Sequence, residues 1–380
     1  MNPRAATLTV ELFTEELPPK ALKRLGEAFT EGVVNGLRNR GFLQAATSWK
    51  SFATPRRLAV VVTHVLAGSP DKQEAVKLMP ASIALDAAGN PTEALKKKLA
   101  ALGVGIDVVP GLERSSDGKV DALFLHRHVP GEALGAGLDA TLGETLANLP
   151  IPKVMSYAGA GSYYSDVKFV RPAHRLLALH GADVVPVHAL GLAADRVTGG
   201  HRFLSHDGLA IPNADAYEET LHGEGKVVAG FAERRAAIVA ALGAAAGGAT
   251  IVMPDALLDE VTGLVEWPAV YAGTFDAAFL AVPQECLILT MQQNQKYFAL
   301  EDAGGRLVNR FLLVSNLETN DPAAIVQGNE RVLRARLADA RFFFDQDRKQ
   351  KLAARVDKLA AIVYHNKLGS QGDRVARLRR

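Results

Sequence analysis

Residues 58 to 66, LAVVVTHVL, make a nearly continuous β-branched run, which a strand accommodates and a helix does not favour. A second strand is predicted at residues 7 to 13, where Leu8, Val10 and Leu12 alternate with polar neighbours. Between them Pro18 and Pro19 suit the first turn of a helix, where missing N–H groups cost little, and Leu22, Leu25, Phe29, Val33 and Leu37 follow at helical spacing. The chain is therefore predicted to open β-α-β. No apolar run approaches the roughly 18 residues that a membrane-spanning helix requires, so no contact with a membrane is expected.

Prolines and glycines divide the rest of the chain. A turn is expected at Gly89-Asn90-Pro91, then a lysine-rich helix through Lys96 to Lys98, a strand at Asp121 to Val129 and a helix after Gly131. Leu149-Pro150-Ile151-Pro152 stops that helix, a turn follows at Gly159 to Ser162, and strand-like stretches lie around Leu176 and Val184. Ala-rich composition predicts helix from Tyr217 to Ala246, ended by Gly247-Gly248. Strands at Ala269 to Ala272 and Arg310 to Ser315 flank a helix after Val282-Pro283, and helix is expected from Gly328 onward.

With 380 residues the chain has room for two or three folded units. These elements group into a mixed α/β body at 1–69 and 150–210, an inserted α/β subdomain at 70–149, a helical linker and second α/β domain at 211–330, and a basic helical segment at 331–380. The expected fold class is mixed α/β (α+β): several mixed-sheet and helical subdomains, ending in a basic helix.

The formal net charge is only +2, but residues 331–380 hold 14 Lys/Arg against 5 Asp/Glu, a balance of +9 that leaves −7 for the first 330. A basic end on a mildly acidic body is expected where one region meets a polyanion; the bland alternative is a solvated helical surface. The single cysteine, Cys286, excludes an internal disulfide framework and a cysteine-cluster zinc site, and it fits a reducing compartment. The N-terminal stretch carries carboxylates where a secretory signal needs unbroken apolar residues, so a cytoplasmic location is expected.

Common catalytic signatures are missing: there is no GxxxxGK[ST] loop, no GxGxxG after a strand, no GxSxG elbow and no HExxH pair. Gly223-Glu224-Gly225-Lys226 echoes a phosphate loop, but Thr220 stands where the first glycine belongs, and it reads as an ordinary turn. His206-Asp207, preceded by His180 and His201, invites comparison with metal phosphohydrolases, yet Ser205 and Gly208 surround it with turn chemistry rather than a rigid helix. His126 and His128 share a strand face without an obvious third ligand. Glu15 and Glu16 precede a helix N-terminus, where the dipole favours negative charge, so capping is expected over acid–base work. No catalytic residue and no metal ligand is assigned.

If residues 331 to 358 are helical, Arg334, Arg341, Arg348 and Arg355 recur every seven residues and make one stripe, drifting about 20° per step. At 1.5 Å per residue the stripe spans roughly 30 Å, comparable with several successive phosphates of a nucleic acid. Val332, Ala335, Phe342 and Phe343 lie broadly opposite and are expected to be buried. Leu333, Leu337 and Phe344 fall near the stripe and imply that part of that side packs against protein. Arg331 and Arg336 lie on the same segment, and Arg56, Arg57, Arg171, His201 and Arg202 add basic groups next to predicted strand ends; salt bridging is the alternative for each.

Eight ordered segments carry a resemblance: TEELPP at 14–19, ATPRRLAV at 53–60, LPIPK at 149–153, FVRP at 169–172, GHRF at 200–203, EWP at 266–268, QKYF at 295–298 and ARLADARFFFDQDRK at 335–349. Over essentially its whole length the chain resembles the N-terminal portion of the β subunit of bacterial heterotetrameric glycyl-tRNA synthetase. The resemblance implies an α2β2 ligase in which the α subunit, using ATP and Mg, activates glycine, while the β subunit binds tRNA(Gly) and is required for charging. It implies that this chain binds no cofactor and is inactive alone, and that a histidine-aspartate hydrolase-like domain and an anticodon-binding domain would follow it in a longer subunit. Lys296, within QKYF, joins the arginines and His201 as a candidate tRNA-binding residue. Two departures stand out: Tyr157 where similar sequences carry tryptophan, and Gly199 where an arginine is common, so neither position is given a nucleic-acid role.

Overall fold

Strand β1 (Ala5–Thr14) lies at the centre of a seven-stranded sheet. The computed structural model describes residues 4–86, 88–116, 121–159 and 166–380; most of the turn expected at Gly159 to Ser162 lies outside them. After β1 come helix α1 (Pro19–Arg40), with Pro19 in its first turn, strand β2 (Trp49–Thr54) and strand β3 (Arg57–Leu66). β1 pairs antiparallel with β3 on one side and with Ala173–His180 on the other. The opening is thus strand, helix and hairpin: β2 intervenes, and no parallel crossover forms.

Alternation along β1 places Leu8, Val10 and Leu12 on one face, where they pack with Leu22, Leu25, Phe29, Val33 and Leu37 of α1. The helix Leu134–Asn148 covers the same core. It approaches α1 closely because Gly32 and Gly36 face Thr145 and Thr141, each pair four residues apart and so on one side of its helix. A Cβ on Gly36 would stand 2.5 Å from the Thr141 methyl. Gly36→Val is therefore expected to destabilise the chain by about 1–3 kcal/mol through overpacking, read as a lower melting temperature.

The opposite face of the sheet is also covered. Phe52, Ala59, Leu177 and Leu179 pack there against Leu209, Ile211, Tyr217, Leu221 and Val227. The helix predicted from Tyr217 to Ala246 is two, Tyr217–Gly223 and Phe231–Ala245, and the break includes Lys226 at a φ of 53°. Strands Lys72–Pro80, Asp121–Val129 and Glu113–Ser116 form a separate sheet with its own core around Leu95, Leu99, Leu123 and Leu125. A four-stranded antiparallel sheet holds Thr250–Val252, Phe298–Glu301, Leu307–Ser315 and Ala269–Thr274. The class is mixed α/β.

The C-terminal segment differs from expectation in two ways. The α-helix runs from Ala323 to Arg348, after which come a 3-10 segment at Leu352–Ala361, a short hairpin of Val363–His365 with Gly369–Ser370, and the helix Gln371–Leu378. The stripe of arginines is therefore cut before Arg355. Burial also differs on one side: Leu333 and Leu337 are buried against Met291, Phe311 and Leu313 with Phe344 beside them, as their position implied, whereas Val332, Ala335, Phe342 and Phe343 are exposed instead of buried. Leu333 and Leu337 are four apart and share a face, and Val332, one residue round, turns about 100° away from it. Among the described residues no helix is long and apolar enough to cross a membrane.

Candidate nucleic-acid interface

Arg56 lies in the tight turn between β2 and β3 and Arg57 is the first residue of β3, and both guanidiniums sit over the Phe13 ring, at 5.2 and 5.4 Å. Arg57 is fully buried and Arg56 nearly so. Their counter-ion is Glu266, itself buried: Oε2 accepts from Arg56 Nη2 at 2.8 Å, and Oε1 accepts from Arg57 Nη1 at 3.0 Å and from Thr54 Oγ1 at 2.9 Å. Arg57 Nε also lies 3.2 Å from Glu11 Oε2, and Arg57 Nη2 donates to the Gly199 carbonyl at 2.6 Å. Glu11 further accepts from Thr198 Oγ1 and Tyr217 Oη. These contacts correct the expectation for Arg57: its charge is neutralised inside the fold.

Arg234 completes this interior. Its guanidinium donates to the carbonyls of Thr262, Val228 and Ala53 at 3.0, 2.7 and 2.7 Å. Burial pulls it down from 12.5 to about 9 against the pull of Glu266, so it stays protonated at neutral pH. Burial tends to raise the Glu266 carboxyl, but Arg57 and Arg56 outweigh it and hold the group below its ordinary 4.5. Tyr217 is pushed well above 10 by burial and by Glu11, and remains a donor. Sequence reasoning missed Glu11, Tyr217 and Arg234 and gave Glu266 no role; the one signal was a carboxylate between Val10 and Leu12 in a strand whose other polar residues are threonines.

At the outer end of β1 a polar cluster reaches solvent. Glu15 Oε1 lies 3.0 Å from His174 Nε2, Arg202 Nη2 lies 3.3 Å from Glu15 and 3.1 Å from Glu16, and Arg171 Nε donates to the Glu16 carbonyl at 2.9 Å. Burial tends to raise the Glu15 carboxyl, but His174 and then Arg202 hold it below 4.5. Neither glutamate caps α1, whose N-cap is Pro18 without a side-chain cap. His201 is buried, its Nδ1 accepting from the N–H groups of Phe203 and Leu204, so it shapes the turn and does not reach a ligand from solvent, a second correction.

Lys296 stands elsewhere, at a φ of 59° after a π-helical turn, Met291–Gln295, and 3.2 Å from Glu260. It borders a cleft of about 580 Å³ with Lys20, Lys23 and Arg24. On the long C-terminal helix Arg331, Arg334, Arg336, Arg341 and Arg348 are all exposed, with Arg341 3.9 Å from Asp345 and Arg348 over the Phe344 ring. Arg355 pairs with Asp347 at 2.9 Å. The candidates thus fall into a buried core, a polar edge near Glu15, the Lys296 cleft and an exposed cationic helix.

The histidines weighed as metal ligands have separate partners. His206 Nε2 lies 3.0 Å from Glu224 while Asp207 pairs with Arg175, and His126 and His128 pair with Glu113 and Asp71. Among the described residues no group of three or more His, Cys, Asp or Glu is placed to hold a metal ion. Charge is thus buried behind Phe13, and exposed arginines line the helix Ala323–Arg348.

The family model described as glycyl-tRNA synthetase beta subunit matches residues 8–380. Curated relatives named glycine–tRNA ligase beta subunit include one from Ralstonia nicotianae, 56% identical over 98% of this chain and 54% of its own length. Another, from Leptothrix cholodnii, is 57% identical over 98% of this chain and 52% of its own. The chain belongs to the glycyl-tRNA synthetase β-subunit family, and it spans about half the length of the curated relatives it matches.

Proposed function

We propose that this chain is a tRNA-binding, non-catalytic N-terminal portion of the β subunit of a cytoplasmic α2β2 glycine–tRNA ligase, and that it positions tRNA(Gly) for ATP-dependent glycylation in the α subunit. The observation that carries the reading is family membership joined to one long helix on which Arg331, Arg334, Arg336, Arg341 and Arg348 are all exposed. Guanidiniums in such a row suit backbone phosphates, which fix register and orientation without reading sequence. Holding the tRNA body this way lets binding energy place its reactive end at a distant centre. ATP and Mg belong to the α subunit in this reading, and the chain alone forms no glycyl-tRNA.

Charge reversal tests it. Arg334→Glu with Arg341→Glu, assayed with the α subunit present, is expected to weaken tRNA binding and flatten its logarithmic salt slope by about two, while the α subunit still co-purifies. A second reading, a scaffold for the α subunit, is supported by Val332, Phe342 and Phe343 exposed on the same helix. Under that reading the same variant loses the α subunit and keeps its tRNA affinity.

A further inference from the structure

The turn at residues 200–206 holds an aromatic ring in solvent on a stiff support. Phe203 is 74% exposed, the most exposed aromatic side chain among the described residues. A lone exposed apolar residue is ordinary; the support beneath this one is not. His201 N donates to the Gly225 carbonyl at 2.7 Å, its ring nitrogen accepts from two backbone N–H groups of the turn, and Ser205 Oγ donates to the Glu224 carbonyl at 2.8 Å. The ring is therefore presented with little loop entropy left to lose on binding.

Beside the turn lies a cleft of about 320 Å³ lined by Phe13, Arg56, His174, Arg175 and Arg202 together with two carboxylates, Glu15 and Asp207. Arg171 and Arg202 meet at Glu16, the residue after the lining Glu15. A simple polyanion would satisfy the arginines and be repelled by the carboxylates. In the free chain these groups pair with one another, Arg202 with Glu15 and Glu16 and Arg175 with Asp207, so a ligand exchanges those pairs, and one that carries an anion, hydroxyl donors and a flat π face offers a partner to each kind of group.

We propose that this turn and cleft bind one unpaired ribonucleotide, with its base stacked on Phe203, its phosphate against Arg202 and Arg171, and its ribose hydroxyls donating to Glu15 or Asp207. The proposal rests on the tRNA-binding reading and adds a site that takes a single-stranded residue rather than a duplex backbone. Stacking on an aromatic face tolerates any base, so the site selects for an unpaired nucleotide and, through the 2′-hydroxyl, for RNA over DNA.

The test uses the 380-residue chain and two labelled RNA hairpins at one salt concentration, one blunt and one with a four-nucleotide unpaired tail. Phe203→Ala, a surface change that leaves the core intact, is expected to weaken binding of the tailed hairpin about five- to hundred-fold and leave the blunt one unchanged. Phe203→Trp should retain tailed-RNA binding, with its fluorescence quenched by that RNA and less by a DNA tail. Equal binding of the tailed RNA by wild type and Phe203→Ala, or an unquenched Phe203→Trp, overturns the site while leaving the tRNA reading standing. Failure of the wild type to bind either hairpin overturns both.

Discussion

Glu266→Ala is expected to lower the stability of the chain by about 3–5 kcal/mol, because it strips a carboxylate partner from the fully buried Arg57 guanidinium and from Arg56, which is nearly buried. Arg57 would keep only Glu11 as a charge partner, and Arg56 would keep the Gly200 carbonyl. The Thr54 hydroxyl would lose its acceptor. Urea denaturation of wild type and variant measures the difference, and a change below 1 kcal/mol would show that the network is worth no more than a surface pair. The same carboxylate sets an acid limit. A group whose folded pKa lies below its unfolded value stabilises fully above the unfolded value and loses that contribution as pH falls through the folded one. Stability from Glu266 is therefore complete above about pH 4.5 and declines below it, and Glu266→Gln should flatten that part of the stability profile.

The association constant for tRNA is expected to fall by about 10³ between 50 and 200 mM salt if some six phosphates are neutralised. Five exposed arginines on the helix Ala323–Arg348, with Lys296 and Arg202 from the other two exposed clusters, are enough groups for that number. Counter-ion release makes this dependence linear in the logarithm of salt, whereas contacts dominated by stacking or apolar burial would leave it shallow. Filter binding across that range gives the slope directly. A slope near zero would remove the arginine-bearing helix from the interface.

Local patterns in the sequence reached the elements but not the long-range pairings. Alternation at Leu8, Val10 and Leu12 and the run from Leu58 to Leu66 identified β1 and β3, because the period of a strand is written in neighbouring residues. Nothing local marks Arg56 as the partner of Glu266, 210 residues away, so a basic dipeptide looked like surface. On the C-terminal helix the four-residue step from Leu333 to Leu337 marks the buried seam, whereas burial of Val332, Phe342 and Phe343, expected from their place opposite the arginines, does not occur. The helix stops near Lys349 with neither glycine nor proline there to announce it.

The ion cluster behind Phe13 also decides where this polypeptide can be divided. Its acids come from β1 and from the segment entering the four-stranded sheet, and its bases from the β2–β3 turn, the first residue of β3 and the helix Phe231–Ala245. Any cut between residues 66 and 231 intended to yield two autonomous pieces would leave each with a naked charge in what had been its interior. The two sheets are bound by a shared electrostatic debt as much as by apolar contact, and a dissection scheme has to carry both sides of it in one piece.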